Sequence, residues 1–115
     1  MYQNIAVGNN QGIDCTVGST GETAYFNAID LISNQDEYDV NLVFAPGIIH
    51  DIMPAISNKI ITMCENRGDC MAIVDPIAFD NNVAAASAVA ALLDSSYAAM
   101  YWPWVQVADP STGKY

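Results

Sequence analysis

The sequence holds a single histidine, His50, followed at once by Asp51, with Asp75 and Asp80 further along. An imidazole near carboxylates is the raw material of a general base or a metal site, provided that the groups converge in space. No serine sits in the G-x-S-x-G elbow of a hydrolase. The alternative places His50 and Asp51 at a helix entry, with the carboxylate near the positive end of the helix dipole, and this is the preferred reading. An enzyme or ligand-binding module built on His50 and its neighbouring aspartates remains the competing one.

The other chemistry-bearing residues are less organised. Cys15, Cys64 and Cys70 form neither a C-x-x-C redox pair nor a zinc spacing. Cys64 and Cys70 lie close enough in sequence to approach each other, yet buried thiols acting as small apolar side chains are the expectation, in a reducing cytosol. The glycines at 8, 12, 18 and 21 build neither a phosphate loop nor a dinucleotide turn, and the scattered acids build no calcium loop. No cofactor and no metal are therefore expected. The densest group of large side chains is aromatic: Tyr97, Tyr101, Trp102 and Trp104 gathered around Pro103. Such rings stack on bases or sugars, fill a core, or form a subunit contact. Core or subunit contact is the reading adopted for Tyr97, Tyr101, Trp102, Pro103 and Trp104.

These residues must be positioned by local elements that the sequence marks out. Ser19 and Glu22 form a capping-box pattern ahead of Tyr25, Ala28, Ile29 and Ile32, which predicts an amphipathic helix over about 22–33. "VNLVFAPG" reads as a buried strand ended by Pro46-Gly47. A second helix is expected from near Asp51, with Pro54 in its first turn, Ile52, Met53, Ile56, Ile60, Met63 and Cys64 on its apolar face, and Gly68 as its stop. "CMAIVDP" is the next strand. A third helix follows with Asp80 or Asn81 as its cap, and then a strand on one or both sides of Pro103, where the missing N–H favours an edge or a bulge. A short apolar piece, Ile5 to Val7, precedes them all. Helices alternating with short buried strands imply an α/β fold: a mainly parallel sheet covered on its faces by helices, in three layers.

Composition sets the outer bounds. The 115 residues suit one domain, and an apolar fraction of 52% permits a real core. Thirteen acidic residues against three basic ones give a net charge of −10, which opposes nucleic acid and anionic membranes as partners. No apolar run reaches the length of a membrane span, and the first residues lack the pattern of a signal peptide. Only 14% of residues are charged, a hint that neighbours cover part of the surface.

Three pieces in order, "DVNLVFAPGI" at 39–48, "CMAIVDP" at 70–76 and "SSYAAMYWPWVQVADPSTGKY" at 95–115, resemble the tail sheath proteins of contractile-tailed bacteriophages and related injection systems. The last piece carries most of the likeness: a serine, a tyrosine, small residues, an aromatic pair, Pro-Trp and then an Asp-Pro turn. The resemblance spans about residues 20–115. It implies a non-enzymatic virion structural protein, with this chain a fragment of the sheath subunit's main domain without its terminal arms. Its implied partners are copies of itself in helically stacked hexameric rings, the tail tube protein, the baseplate and the tail terminator. The implied action is contraction that drives the tube through the host envelope during genome ejection. Assembly would take place in the host cytoplasm.

Overall fold

Local capping chemistry begins the first helix. The computed structural model describes residues 14–79 and 81–114, so Ile5 to Val7, Asp80 and Tyr115 lie outside the described residues. Ser19 caps α1 (Thr20–Ile32) by accepting the Glu22 N–H at 3.2 Å. Glu22 reaches back past the cap, and its Oε2 accepts the Gly18 N–H at 2.6 Å. The reciprocal bond of the expected capping box is thus displaced by one residue, because the Ser19 N–H is already given to the Thr16 carbonyl.

Strand β1 (Leu42–Ile49) does not stop at Pro46-Gly47 as expected. It pairs with one neighbour only, so a proline without an N–H is tolerated. The register with that neighbour shifts between Phe44 and Ile49, and Gly47 takes a φ of 94° in the irregular stretch. Helix α2 (Pro54–Arg67) starts three residues later than Asp51, with Pro54 where its missing N–H costs nothing. It ends at Gly68, whose φ of 73° is the left-handed conformation that only glycine adopts freely. Strand β2 (Met71–Asp75) follows. Helix α3 (Val83–Ala90) is capped by Asn82, whose side chain accepts the Ala85 N–H at 3.0 Å, rather than by the expected Asn81. Strand β3 (Ala98–Met100) lies before Pro103, and no strand follows Pro103 in the described residues.

The three strands form one parallel sheet in the order β1-β2-β3. The α/β expectation therefore holds: a small domain with a three-stranded parallel sheet and flanking helices. One face of the sheet carries Val43, Ala45, Ala72, Val74, Ala98 and Met100, packed into a core with Ile29 of α1 and Ile56, Ile60, Met63 and Cys64 of α2. Side chains alternate along a strand, so Leu42, Phe44, Met71, Ile73 and Ala99 point the other way. None of these five belongs to a hydrophobic cluster, and Leu42, Phe44 and Met71 are exposed. Helix α3 packs through Ala86 and Val89 on Ile77 and Met100, on the already covered side. Among the described residues there are thus two layers rather than the expected three.

One buried cation ties the loops together. The Arg67 side chain, 2% exposed, forks onto both oxygens of Asp69 and donates to the carbonyls of Ile32 at 2.6 Å and Tyr38 at 2.8 Å. It joins the end of α1, the connector before β1 and the α2–β2 turn, and Asp69 in return titrates below the usual carboxylate range. Arg67→Met keeps the stem but strands two carbonyls and a carboxylate. We expect a lower urea midpoint and faster amide exchange at Glu37 and Tyr38, whose N–H groups bond the Asn34 carbonyl in the intact connector. Unchanged exchange there would show that the connector holds itself. Arg67→Lys restores the charge but not the fork, so its rescue is partial.

Candidate functional site

In a parallel sheet, ligands gather beyond the carboxyl ends of the strands. That end is built here by His50 after β1, Asp75 and Pro76 at the end of β2, and Tyr101 after β3. The His50 N–H bonds the Asp75 carbonyl at 2.8 Å and the Asp51 N–H bonds the Pro76 carbonyl at 3.1 Å, so the two backbones stay paired past the last strand residues. The His50 side chain does not open into a cleft. It is buried, with Nδ1 2.7 Å from Ser57 Oγ in the first turn of α2. Ser57 is itself fully buried and also lies 3.3 Å from the Met53 carbonyl and 3.2 Å from that of Pro54.

Burial pushes the His50 imidazole below its ordinary value and the Asp75 carboxyl above its own. Among the described residues no hydrogen bond joins His50 to a carboxylate, and no three His, Cys, Asp or Glu side chains gather as a metal site. Asp51 is exposed, and α2 begins beyond it, so His50 and Asp51 precede the helix rather than open it. Cys15, Cys64 and Cys70 are buried free thiols, and burial followed by the neighbouring Cys70 pushes Cys64 up to about 12. A thiol held so firmly protonated is a poor nucleophile and a poor metal ligand at neutral pH.

The aromatic group divides in two. Tyr97 is half-buried and packs on the main core. Tyr101, Trp102, Pro103 and Trp104 are exposed, and so are Val105 and Val107, each 80% exposed. The segment nevertheless has fixed points. Trp104 Nε1 donates to the Ile77 carbonyl at 2.8 Å. Tyr101 and Trp102 form one wall of a shallow apolar groove of about 240 Å³, whose other wall is Val83, Ala86 and Ala90 of α3. Beyond it, the Asp109 carboxylate accepts the Ser111 N–H at 2.8 Å and the hydroxyls of Ser111 and Thr112, closing the Asp-Pro turn. Those bonds hold Asp109 below the usual carboxylate range.

A larger polar hollow of about 570 Å³ lies between the end of α1 and α2, with Asp30, Asn34, Asp36, Lys59 and Arg67 in its wall. Both cations there are engaged. Lys59 sits 2.7 Å from Asp30 and over the Phe26 ring, and Arg67 is locked onto Asp69.

Two features were not singled out from the sequence: the outward sheet face and the buried Ser57 partner of His50. The first had a signal, since Leu42 and Phe44 alternate with Val43 and Ala45. The second had none, because a buried serine in a helix looks like any other.

No protein-family model matches the chain, and neither does any curated protein or solved structure.

Proposed function

We propose that the chain is a structural, non-enzymatic part of a contractile tail sheath, polymerising around a tail tube and contracting to drive it through the host envelope. The observation that carries the reading is the exposed apolar segment from Tyr101 to Val107. Tyr101, Val105 and Val107 stand largely in solvent and Trp102 and Trp104 are partly exposed, while the Trp104–Ile77 bond ties the segment to the end of β2. Large exposed aromatic surface held in a defined shape is the usual mark of a protein contact. The same stretch carries the resemblance to sheath proteins. The subunit contacts would involve Tyr101, Trp102, Pro103 and Trp104, with Tyr97 anchoring them to the core.

In this reading the partners are further copies in stacked hexameric rings, the tail tube, the baseplate and the tail terminator, within a virion. Contacts that differ between an extended and a contracted state supply the work. The net charge of −10 favours a basic surface on the tube or on a neighbouring subunit. Assembly should weaken as salt rises, and indifference to salt would count against that pairing.

The decisive test joins genetics and microscopy. Neighbouring genes should encode a tail tube and a baseplate, and a gene isolated from any such cluster would sink the proposal. In the assembled particle, Trp102→Ala with Val105→Asp should abolish polymer seen by negative-stain electron microscopy while far-ultraviolet circular dichroism stays unchanged. Normal polymer from the double variant would remove this segment from the contact.

A further inference from the structure

We infer that Cys64 and Cys70 are a redox pair, which a hydroperoxide oxidises to a disulfide that ties the last turns of α2 to the start of β2. The inference is independent of the sheath reading. It starts from the turn between the two elements. Gly68 takes the left-handed conformation and gives its N–H to the Cys64 carbonyl at 2.8 Å, which folds the chain back beside the end of the helix. Cys70, just ahead of Met71 in β2, is thereby returned to Cys64. Both side chains are buried in one core cluster, and the two thiols are hydrogen-bonding neighbours. Cys15 belongs to that cluster too, but its neighbours are Asp14, Glu22 and Tyr25. The pairing is thus specific, although the spacing is no C-x-x-C motif.

The surroundings divide the roles. Cys64 has no exposed surface, and burial, followed by the Cys70 thiol beside it, keeps it protonated. Cys70 keeps 5% of its surface and lies against the paired side chains of Arg67 and Asp69. Cys70 is therefore the sulfur that meets the oxidant. It attacks one oxygen of the hydroperoxide and the O–O bond breaks. The thiol proton leaves with the other oxygen as water or an alcohol, and Cys70 becomes a sulfenic acid. The Cys64 sulfur then attacks that of Cys70, the S–O bond breaks, and hydroxide leaves with the Cys64 proton as water. Two electrons pass from the two thiols to one peroxide. Contact between the sulfurs makes the second step intramolecular. Oxidation of Cys70 also changes one of the groups that hold Cys64 protonated.

The disulfide closes a ring from residue 64 to residue 70, with Arg67, Gly68 and Asp69 inside it. Such a ring restricts the unfolded chain, so the oxidised form resists urea better than the reduced one. In a reducing compartment the pair stays as two thiols, and it closes on exposure to peroxide.

The test treats the whole folded chain with hydrogen peroxide or an alkyl hydroperoxide, alkylates the remaining thiols in denaturant, and reads the peptides by mass spectrometry. The expected product is one internal disulfide, two hydrogens lighter, joining Cys64 to Cys70, with Cys15 alkylated. Its urea midpoint should rise and return after reduction with dithiothreitol. Cys64→Ala, or Cys64→Ser should the first fail to fold, leaves Cys70 without its partner. Dimedone should then label the Cys70 sulfenic acid at least tenfold more than in the unaltered chain. Cys15→Ala should pair as the unaltered chain does. The inference is overturned if both thiols remain alkylatable after peroxide, or if Cys70 accumulates as a sulfinic acid beside a free Cys64. It is also overturned if the disulfide includes Cys15 or joins two chains. Formation only in the presence of urea would show that the fold keeps the sulfurs apart, and would overturn it too.

Discussion

Replacing Ile56 by alanine is expected to destabilise the domain by about 2–5 kcal/mol, the range for a large-to-small change in a closed core. Replacing Phe44 by alanine, which deletes more atoms, is expected to cost no more than about 1 kcal/mol, the span of strand propensity at an exposed site. The order reverses what residue size alone suggests. Ile56 of α2 is wholly buried in the core beneath the sheet, so its loss leaves a cavity that the surroundings only partly fill. Phe44 stands on the open face, already largely hydrated, and removing it empties nothing. Urea unfolding of the two variants side by side decides the matter. If Phe44→Ala costs as much as Ile56→Ala, the outer face is covered in solution and the domain does not stop at two layers. If the costs separate as expected, the outer face is open to water and the two layers fold without a cover.

That contrast also marks where sequence reading reaches and where it stops. Features governed by a few adjacent residues were legible. Ser19 and Glu22 announce α1, Pro54 sits where a helix accepts proline, and Gly68 ends α2 in a left-handed conformation. The alternation of strands and helices pointed to the parallel α/β sheet, because parallel strands need long crossovers. Features that depend on position within the sheet were not legible. Pro46-Gly47 looks like a strand end, and only the edge position of β1 and its register shift explain why the strand continues. Apolar strands announce that both faces are meant to be covered, but not which cover lies within the chain. The aromatic segment shows the same limit. Its residue types suit core and contact equally, and exposure separates Tyr97 from Tyr101, Trp102 and Trp104. Local polarity also misled at α3, where Asn82 takes the capping bond, one residue later than Asn81.

Acidification should destabilise the domain from about pH 6.5 downwards through His50, and Gln at position 50 should remove that part of the pH dependence. The unfolded histidine takes up its proton near the ordinary value, 6.5, whereas burial holds the folded imidazole below it. The unfolded chain therefore binds more protons as the pH falls from 6.5 towards the folded value. Stability is fully present above 6.5 and is lost across that window, with a slope of at most about 1.4 kcal/mol per pH unit for one proton. The geometry gives the reason. His50 Nδ1 lies 2.7 Å from Ser57 Oγ in the first turn of α2, where the positive end of the helix dipole opposes a buried cation. Asp51 acts the other way, favouring the imidazolium, but it is exposed and burial is the larger effect. Asp75 also works in opposition. Its folded carboxyl is raised by burial, so it contributes stability on acidification, and at lower pH it offsets part of the loss. The measurement is urea unfolding between pH 7.5 and 5 for the unaltered chain, His50→Gln and Asp75→Asn. His50→Gln should flatten the curve below pH 6.5, whereas Asp75→Asn should remove the opposing gain and steepen the acid-side fall. A wild-type curve already flat between 6.5 and 5.5 would mean that His50 reaches water when protonated. The β1–α2 junction would then open more easily than its buried hydrogen bond implies.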